Sequence, residues 1–79
     1  MSLVALCIMD GTSNETTEIK IFCNKELAIQ YVISQEESFL EDPEMISELY
    51  KELDEQNVIY SFDQPIRASY ALFPTELVQ

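Results

Sequence analysis

The chain contains no histidine and only one glycine among its 79 residues. Histidine is the commonest general base and transition-metal ligand. Phosphate-binding loops and dinucleotide fingerprints need several glycines at fixed spacing. Neither cysteine has a histidine to activate it, and the serine and threonine hydroxyls lack a neighbouring base. The sequence therefore predicts a protein that is not an enzyme and that holds no cofactor and no metal.

Basic residues are also scarce, since Lys20, Lys25, Lys51 and Arg67 stand against fifteen Asp and Glu, for a net charge of −11. Binding to a phosphate backbone needs clustered Lys and Arg. We therefore expect no direct binding to nucleic acid or to an anionic membrane. The natural partner of such a surface is a basic protein, often one that binds nucleic acid. The alternative is that the charge serves solubility alone.

The length predicts one small domain over residues 1–79. No segment approaches 18 apolar residues and no signal peptide is visible, which predicts a cytoplasmic protein. Cys7 and Cys23 form no close motif for metal or redox chemistry. A hairpin that pairs Asp10 with Thr16 would place Cys7 opposite Ile19 and about 13 Å from Cys23, too far for a disulfide. Both cysteines are predicted to be small core residues in a reducing compartment.

The N-terminal part of the chain has the pattern of a β-hairpin. Ser2–Asp10 is apolar at both alternating positions, which predicts a strand buried on both faces or central in a sheet. Thr16–Cys23 alternates, with Ile19 and Ile21 on the side predicted to face the core. The turn between them, from Asp10 to Glu15, is rich in oxygen ligands, but it lacks the EF-hand pattern, so a plain turn is favoured over a calcium site.

Two helices follow. Asn24 predicts a cap for a helix that starts at Lys25 and frays near Glu36 to Ser38. Asp42-Pro43 predicts the start of a second helix, which runs to about Glu55 and is ended by Asn57. The inner stripe of the first helix is predicted to comprise Leu27, Ala28, Tyr31 and Val32. Ile29 and Ile33 lie outside that stripe, so either the second helix or a partner should cover them.

The remaining residues predict a second hairpin, with strands Val58 to Phe62 and Ile66 to Phe73 around Asp63-Gln64-Pro65. Pro74 should limit the last strand to an edge or end it, and Leu77 and Val78 could add a short closing segment. The sum is an α+β domain of order β-β-α-α-β-β, an antiparallel sheet with two helices on one face.

Such a sheet leaves a second face, and surplus apolar residues suggest a dimer or docking surface there. This second face is predicted to carry Phe22 and members of the set Tyr60, Tyr70 and Phe73. With Ile29 and Ile33 of the first helix, the candidates for an apolar interface are Phe22, Ile29, Ile33 and Phe73. The alternative is that the aromatic residues simply fill the core. The predicted core residues are Leu6, Ile8, Ile19, Ile21, Leu27, Tyr31, Ile46, Leu49 and Leu53.

The second helix carries a row of carboxylates. Glu41, Glu44, Glu48, Glu52 and Glu55 fit within an arc of about 80°, opposite the apolar residues of the helix. Glu36, Glu37 and Asp42 extend the row towards the N-terminus of the helix. Like charges at this spacing destabilise a helix by a few tenths of a kcal/mol per pair. One interpretation is that the row binds a basic partner by imitating a nucleic-acid backbone; the other is an ordinary solvated face.

In size, charge and the compact strand–helix order around Thr17-Glu18-Ile19-Lys20-Ile21-Phe22-Cys23-Asn24-Lys25-Glu26, the chain resembles the small acidic proteins that bacteriophages make to block host or defence machinery. The resemblance implies stoichiometric inhibition of a nuclease, a CRISPR effector or a transcription factor in the bacterial cytoplasm. It assigns no functional residue. The alternative is a small structural or adaptor protein that forms a homodimer through its sheet face.

Overall fold

A computed structural model of the chain describes residues 2–13, 15–40 and 42–76. The elements are β1 (Ser2–Asp10), β2 (Thr16–Phe22), α1 (Lys25–Glu36), α2 (Pro43–Gln56), β3 (Val58–Ile59) and β4 (Ala68–Glu76). The strands form one antiparallel sheet in the order β2-β1-β4-β3, and the core lies between one face of this sheet and the two helices. The predicted α+β fold and its element order are confirmed.

The first strand is central in the sheet. It pairs with β4 along its whole length and with β2 on its other side, which explains its apolar residues at both alternating positions. Cys7 lies opposite Ile19, as predicted. A bulge near the turn pairs Met9 with Thr16, so the predicted pairing of Asp10 with Thr16 is wrong by one residue.

The helix ends follow the predicted capping residues. The Asn24 side chain accepts a hydrogen bond from the Leu27 amide at 2.9 Å and caps α1. The Asp42 carboxylate accepts one from the Glu44 amide at 2.9 Å and caps α2. Asn57 ends α2 in the left-handed region, with φ at 63°, a conformation that Asn adopts more easily than most residues.

The second hairpin is shorter than predicted on its turn side. The third strand contains only Val58 and Ile59, and β4 begins at Ala68, so the predicted strand positions 60–62 and 66–67 are wrong. The loop between them is occupied by local turns, in which the amide of Asp63 donates to the carbonyl of Tyr60. Its apolar residue Ile66 closes the core instead of extending a strand.

The last strand continues through Pro74 to Glu76. Pro74 pairs in register with Val4 of β1, and at that point the short β3 has already ended on the other side. A residue without an amide proton is tolerated there because β4 is locally an edge strand. The predicted closing segment of Leu77 and Val78 lies outside the described residues.

The core is only partly the predicted one. Leu6, Leu49 and Leu53 are fully buried, as predicted, and Ile8, Tyr31 and Ile46 pack half-buried against them. The predictions for Ile19, Ile21 and Leu27 are wrong, since all are exposed. In α1 the helix is turned so that Ala28, Ile29 and Val32 face inward, and Leu27 lies at the margin.

The edge strand β2 presents its polar side to the helices. Phe22 and Lys20 lie on that side, and the Tyr31 ring reaches over both, with centroid distances of 5.5 Å to Phe22 and 5.3 Å to Lys20 Nζ. The Glu18 carboxylate lies 3.1 Å from Lys20 Nζ and raises the pKa of that amine. Because helix cover at this edge is thin, charged side chains remain solvated while turned inward.

The single glycine occupies a close approach between the first turn and the loop before β4. A Cβ built on Gly11 would lie 2.7 Å from Ser61 Oγ and 2.9 Å from the Arg67 carbonyl oxygen. The same Ser61 hydroxyl donates to the Gly11 carbonyl at 2.8 Å. The backbone carbonyl cannot swing aside like a flexible side chain, so the position has no room for a side chain.

We expect Gly11→Ala to lower the free energy of unfolding by about 1–3 kcal/mol, the usual effect of overpacking. The measurement is urea denaturation, with Glu15→Ala as the control because Glu15 is exposed in the same hairpin connection. A Gly11→Ala midpoint equal to that of the wild type would show that the loop relaxes freely.

Candidate protein-binding surfaces

The acidic stripe consists here of Glu44, Glu48, Glu52 and Glu55 on α2. Glu44, Glu48 and Glu55 are exposed. Glu52 is half-buried and accepts a hydrogen bond from Gln64 Nε2 at 2.9 Å, so the loop after β3 already engages it. Glu41, the predicted first member, lies outside the described residues. The three exposed carboxylates extend over about three turns of helix, about 16 Å.

The predicted extensions of the stripe have other surroundings. The Asp42 carboxylate is exposed but is engaged as the cap of α2. Glu37 is exposed at the C-terminal end of α1, where its own amide donates to the Ile33 carbonyl at 2.7 Å. Both add negative charge near the helix connection, and neither belongs to the exposed ridge of α2.

Two of the four cations serve the C-terminal ends of the helices. Neither helix has a basic residue in its own last turn. Arg67 donates from Nη2 to the Gln35 carbonyl of α1 at 2.6 Å. Lys25 donates from Nζ to the Asp54 carbonyl of α2 and lies 3.8 Å from the Asp54 carboxylate. These contacts satisfy terminal carbonyls and oppose the negative end of each helix dipole.

The remaining two lysines, Lys20 and Lys51, differ in whether they form an ion pair. Lys20 is paired with Glu18 on β2, whereas Lys51 lies on α2 beside the acidic stripe and takes part in neither of the two ion pairs that the described residues form. Lys51, Glu48 and Glu55 border a shallow depression of about 220 Å³. The exposed ridge of α2 therefore carries an excess of negative charge that the fold does not neutralise.

Glu36 is a buried carboxylate that sequence reasoning misplaced among the solvated acids. Only 1% of its surface is exposed. One oxygen accepts a hydrogen bond from the Tyr70 hydroxyl at 2.6 Å and the other accepts one from the Arg67 amide at 3.0 Å. Burial, followed by the hydrogen bond to Glu36, raises the pKa of the Tyr70 phenol. The signal in the sequence was its place one turn after Val32 on the buried side of α1.

The sheet face turned away from the helices presents exposed apolar side chains. We call it the open face; it comprises Leu3, Ala5, Cys7 and Met9 of β1, Ile19 and Ile21 of β2, Val58 of β3, and Ser69, Ala71, Phe73 and Thr75 of β4. Ser69 and Ala71 are buried within it. Their strand neighbours Val4, Leu6, Ile8, Phe22, Tyr70 and Leu72 belong to the core or pack against it. Side chains alternate across a sheet, so the open-face residues point the other way. Ile19 is 59% exposed, Ile21 55% and Phe73 52%.

The four apolar interface candidates are distributed unequally. Phe73 lies on the open face, as an interface residue should. Ile29 has no exposed surface, so it is a core residue, and its predicted interface role is wrong. Phe22 and Ile33 pack half-buried against the core on the helix side, and Tyr70 is buried there, so the predicted positions of Phe22 and Tyr70 on the second sheet face are wrong. Sequence reasoning missed Ile19 and Ile21 as surface residues because their alternation looked like that of a core-facing strand.

The two thiols are free. Cys7 is half-buried in the middle of the open face, and Cys23 is exposed just after β2. The predicted core positions of both cysteines are therefore wrong, since Cys7 lies on the sheet face opposite the core.

The first turn uses its carboxylate for its own backbone. Asp10 Oδ1 accepts hydrogen bonds from the Thr12 hydroxyl at 2.6 Å and the Thr12 amide at 2.7 Å, and a longer one from the Ser13 amide. These bonds, led by that from the Thr12 hydroxyl, lower the pKa of Asp10.

Across residues 2–13, 15–40 and 42–76, no group of three His, Cys, Asp or Glu side chains is placed to hold a metal ion. Neither helix in these ranges has the length and apolar character needed to cross a membrane.

Comparison of the chain with protein-family models, with curated proteins and with solved structures finds no match.

Proposed function

We propose that this chain is a non-catalytic protein-binding module whose acidic stripe binds the basic surface of a nucleic-acid-handling protein. The proposal places it in the cytoplasm, as a stoichiometric inhibitor or decoy of a nuclease, a CRISPR effector or a transcription factor. The resemblance to small acidic phage proteins favours this class of target and a bacterial host. The self-associating adaptor considered above uses a different surface, the sheet, and does not compete with this one.

One observation carries the proposal: the chain engages three of its four cations elsewhere and leaves the ridge of α2 uncompensated apart from Lys51. Arg67 and Lys25 are engaged at helix ends and Lys20 is paired with Glu18. Evenly mixed charges would serve solubility with less repulsion along the helix. Carboxylates about 5–6 Å apart along a rigid helix instead suit Lys and Arg groups that are arranged to bind phosphates.

The test neutralises the exposed part of the stripe with Glu44→Gln, Glu48→Gln and Glu55→Gln. Glu52 is left intact because its carboxylate is bonded to Gln64. The matched control is Glu15→Gln, Glu26→Gln and Glu76→Gln, three exposed acids elsewhere. Each triple variant removes three negative charges, so both change the net charge from −11 to −8.

Wild type, immobilised on beads, captures its partner from bacterial lysate, and the purified partner is then titrated with all three proteins across a salt series. We expect the stripe variant to lose at least about tenfold in affinity, because each lost charge-assisted contact removes about 1–3 kcal/mol. Its salt dependence should also flatten. Duplex DNA should displace wild type, since a decoy shares the partner's nucleic-acid site.

Equal losses of affinity in both triple variants would show that binding depends on total charge and not on the acidic stripe. An unchanged affinity for the stripe variant would leave the row as ordinary solvated surface. Both outcomes contradict the proposal. Melting curves for each variant separate binding from folding, and the stripe variant should melt at or slightly above the wild-type temperature because repulsion along α2 is relieved.

A further inference from the structure

The open face has a composition unlike the rest of this acidic surface. Its residues are apolar except Ser69 and Thr75, and none is charged. Ser69 is buried and its hydroxyl accepts a hydrogen bond from the Ser61 amide. The acids within the strands, Asp10, Glu18 and Glu76, all lie at positions whose cross-strand neighbours are on the helix side. A protein with a net charge of −11 thus presents one uncharged apolar face, and the carboxylates lie at its margins or behind the sheet.

The open face has the shape of a ridge beside a trough. Ile21 and Phe73 lie opposite Ala5 on its two sides, and Ile19 and Ala71 lie opposite Cys7. The large side chains of β2 therefore form a ridge along one edge, and the small residues Ala5, Cys7 and Ala71 form the trough next to it, with Phe73 on its far side. An apolar surface of this kind, exposed in water, is typical of an interaction site.

We propose that a second copy of this chain covers the open face, so that two sheets pack face to face in a two-fold dimer. In an isologous interface the same patch meets itself. If the two-fold axis runs along the strands between β2 and the trough, the Ile19 and Ile21 ridge of each copy enters the trough of the other. The shape is thus self-complementary. The inference does not depend on what the acidic stripe binds.

The dimensions of the face place such a pairing at the small end of specific interfaces. β1 and β4 contain nine residues each, about 30 Å of strand, and three long strands span about 14 Å. The projected area is about 400 Å² per copy, and the accessible area of a surface corrugated by side chains is larger. Specific interfaces begin at about 600 Å² per partner. Packed sheets lie about 10 Å apart.

The charges also favour a second copy over the basic partner at this face. A basic protein gains nothing from an uncharged surface, whereas two copies can meet here without bringing carboxylates into the contact. The acidic helices would then point outward from both sides of the dimer. Salt should strengthen this contact, because it screens repulsion between the like-charged copies while apolar burial persists. Binding to a basic partner responds to salt in the opposite direction.

The experiment is sedimentation equilibrium at several protein concentrations in low and high salt. We expect wild type to approach twice the 9.1 kDa mass of one chain, with tighter association in high salt. Ile21→Glu should weaken dimerisation at least about 100-fold, because it buries an unpaired charge. The milder pair Ile19→Thr and Ile21→Thr keeps β-branched side chains and should weaken it at least about tenfold. Leu27→Glu, an exposed apolar position on α1, is the control and should dimerise like wild type.

The thiols report which surface is covered. Cys7 lies in the trough, so an alkylating reagent should label it more slowly in the wild-type dimer than in the Ile21→Glu monomer, while Cys23 reacts rapidly in both. Peptide mapping by mass spectrometry measures the two rates. A monomeric wild type at the highest concentration overturns the proposal. So does a dimer that Ile21→Glu leaves intact, or one in which Cys7 labels as fast as in the monomer, which would indicate pairing through the β2 edge. Protection of Cys7 only when another protein is added would assign the face to that protein instead.

Discussion

Replacing Leu49 with alanine should lower the free energy of unfolding by about 2–5 kcal/mol. Leu49 is 2% exposed on α2 and belongs to the core cluster between the helices and the sheet. Truncation removes three buried carbons and leaves a cavity that the surrounding helices and sheet fill only in part. A chain of 79 residues has about 4–12 kcal/mol of stability in total, so this single change consumes a large share of it.

The measurement is thermal and urea unfolding at one fixed protein concentration, because association would make the midpoint depend on concentration. Leu27→Ala is the matched control, since it makes the same chemical change on α1 at a residue that is 44% exposed. We expect the control to lose less than about 1 kcal/mol. Equal losses of stability at the two positions would contradict the placement of Leu49 in the core and of Leu27 at its margin.

The sequence predicted the parts of the fold that local chemistry determines. Helix starts at Asn24 and Asp42 depend on side chains that bond the nearest free amides, and the stop at Asn57 depends on a backbone conformation that few residues adopt. The central position of β1 followed from apolar residues at both alternating positions. Each of these signals lies within a few residues of the feature that it predicts.

The errors concern the choice of face, which depends on distant residues. Alternation in β2 showed that one side is apolar and the other polar, but not which side the helices would cover. The helices cover the side of Phe22, and Ile19 and Ile21 are left in solvent. Position along α1 likewise could not show that Glu36 meets Tyr70 and Arg67, because those partners are more than thirty residues away along the chain. The acidic stripe was visible in the sequence, but the engagement of Glu52 by Gln64 was not.

Removing the Glu36 carboxylate should be about as damaging as removing a core leucine. Its two oxygens accept the Tyr70 hydroxyl and the Arg67 amide, and this links the end of α1 to the start of β4. Glu36→Ala would leave the buried Tyr70 hydroxyl and the part-buried Arg67 amide without this partner, at about 1–3 kcal/mol each. We therefore expect Glu36→Ala to lower the free energy of unfolding, measured by urea denaturation, by about 2–5 kcal/mol. Glu37→Ala is the matched control, since that neighbouring carboxylate is exposed, and it should change stability by less than about 0.5 kcal/mol.

The hydroxyl of Tyr70, which donates to Glu36, allows a second and independent measurement of this interaction. In a double-mutant cycle, Glu36→Ala combined with Tyr70→Phe should lose less than the sum of the single changes, because the double variant has no orphaned hydroxyl. The raised pKa of Tyr70 means that the folded protein disfavours the phenolate. The stability that the protonated Tyr70 phenol contributes to the folded state is therefore fully present below the ordinary tyrosine pKa of 10.0. This stability is lost as the pH rises above that value. Stability should fall less steeply above pH 10 in Tyr70→Phe than in wild type. Additive losses together with parallel alkaline profiles would show that the hydrogen bond between Tyr70 and Glu36 contributes nothing to the fold.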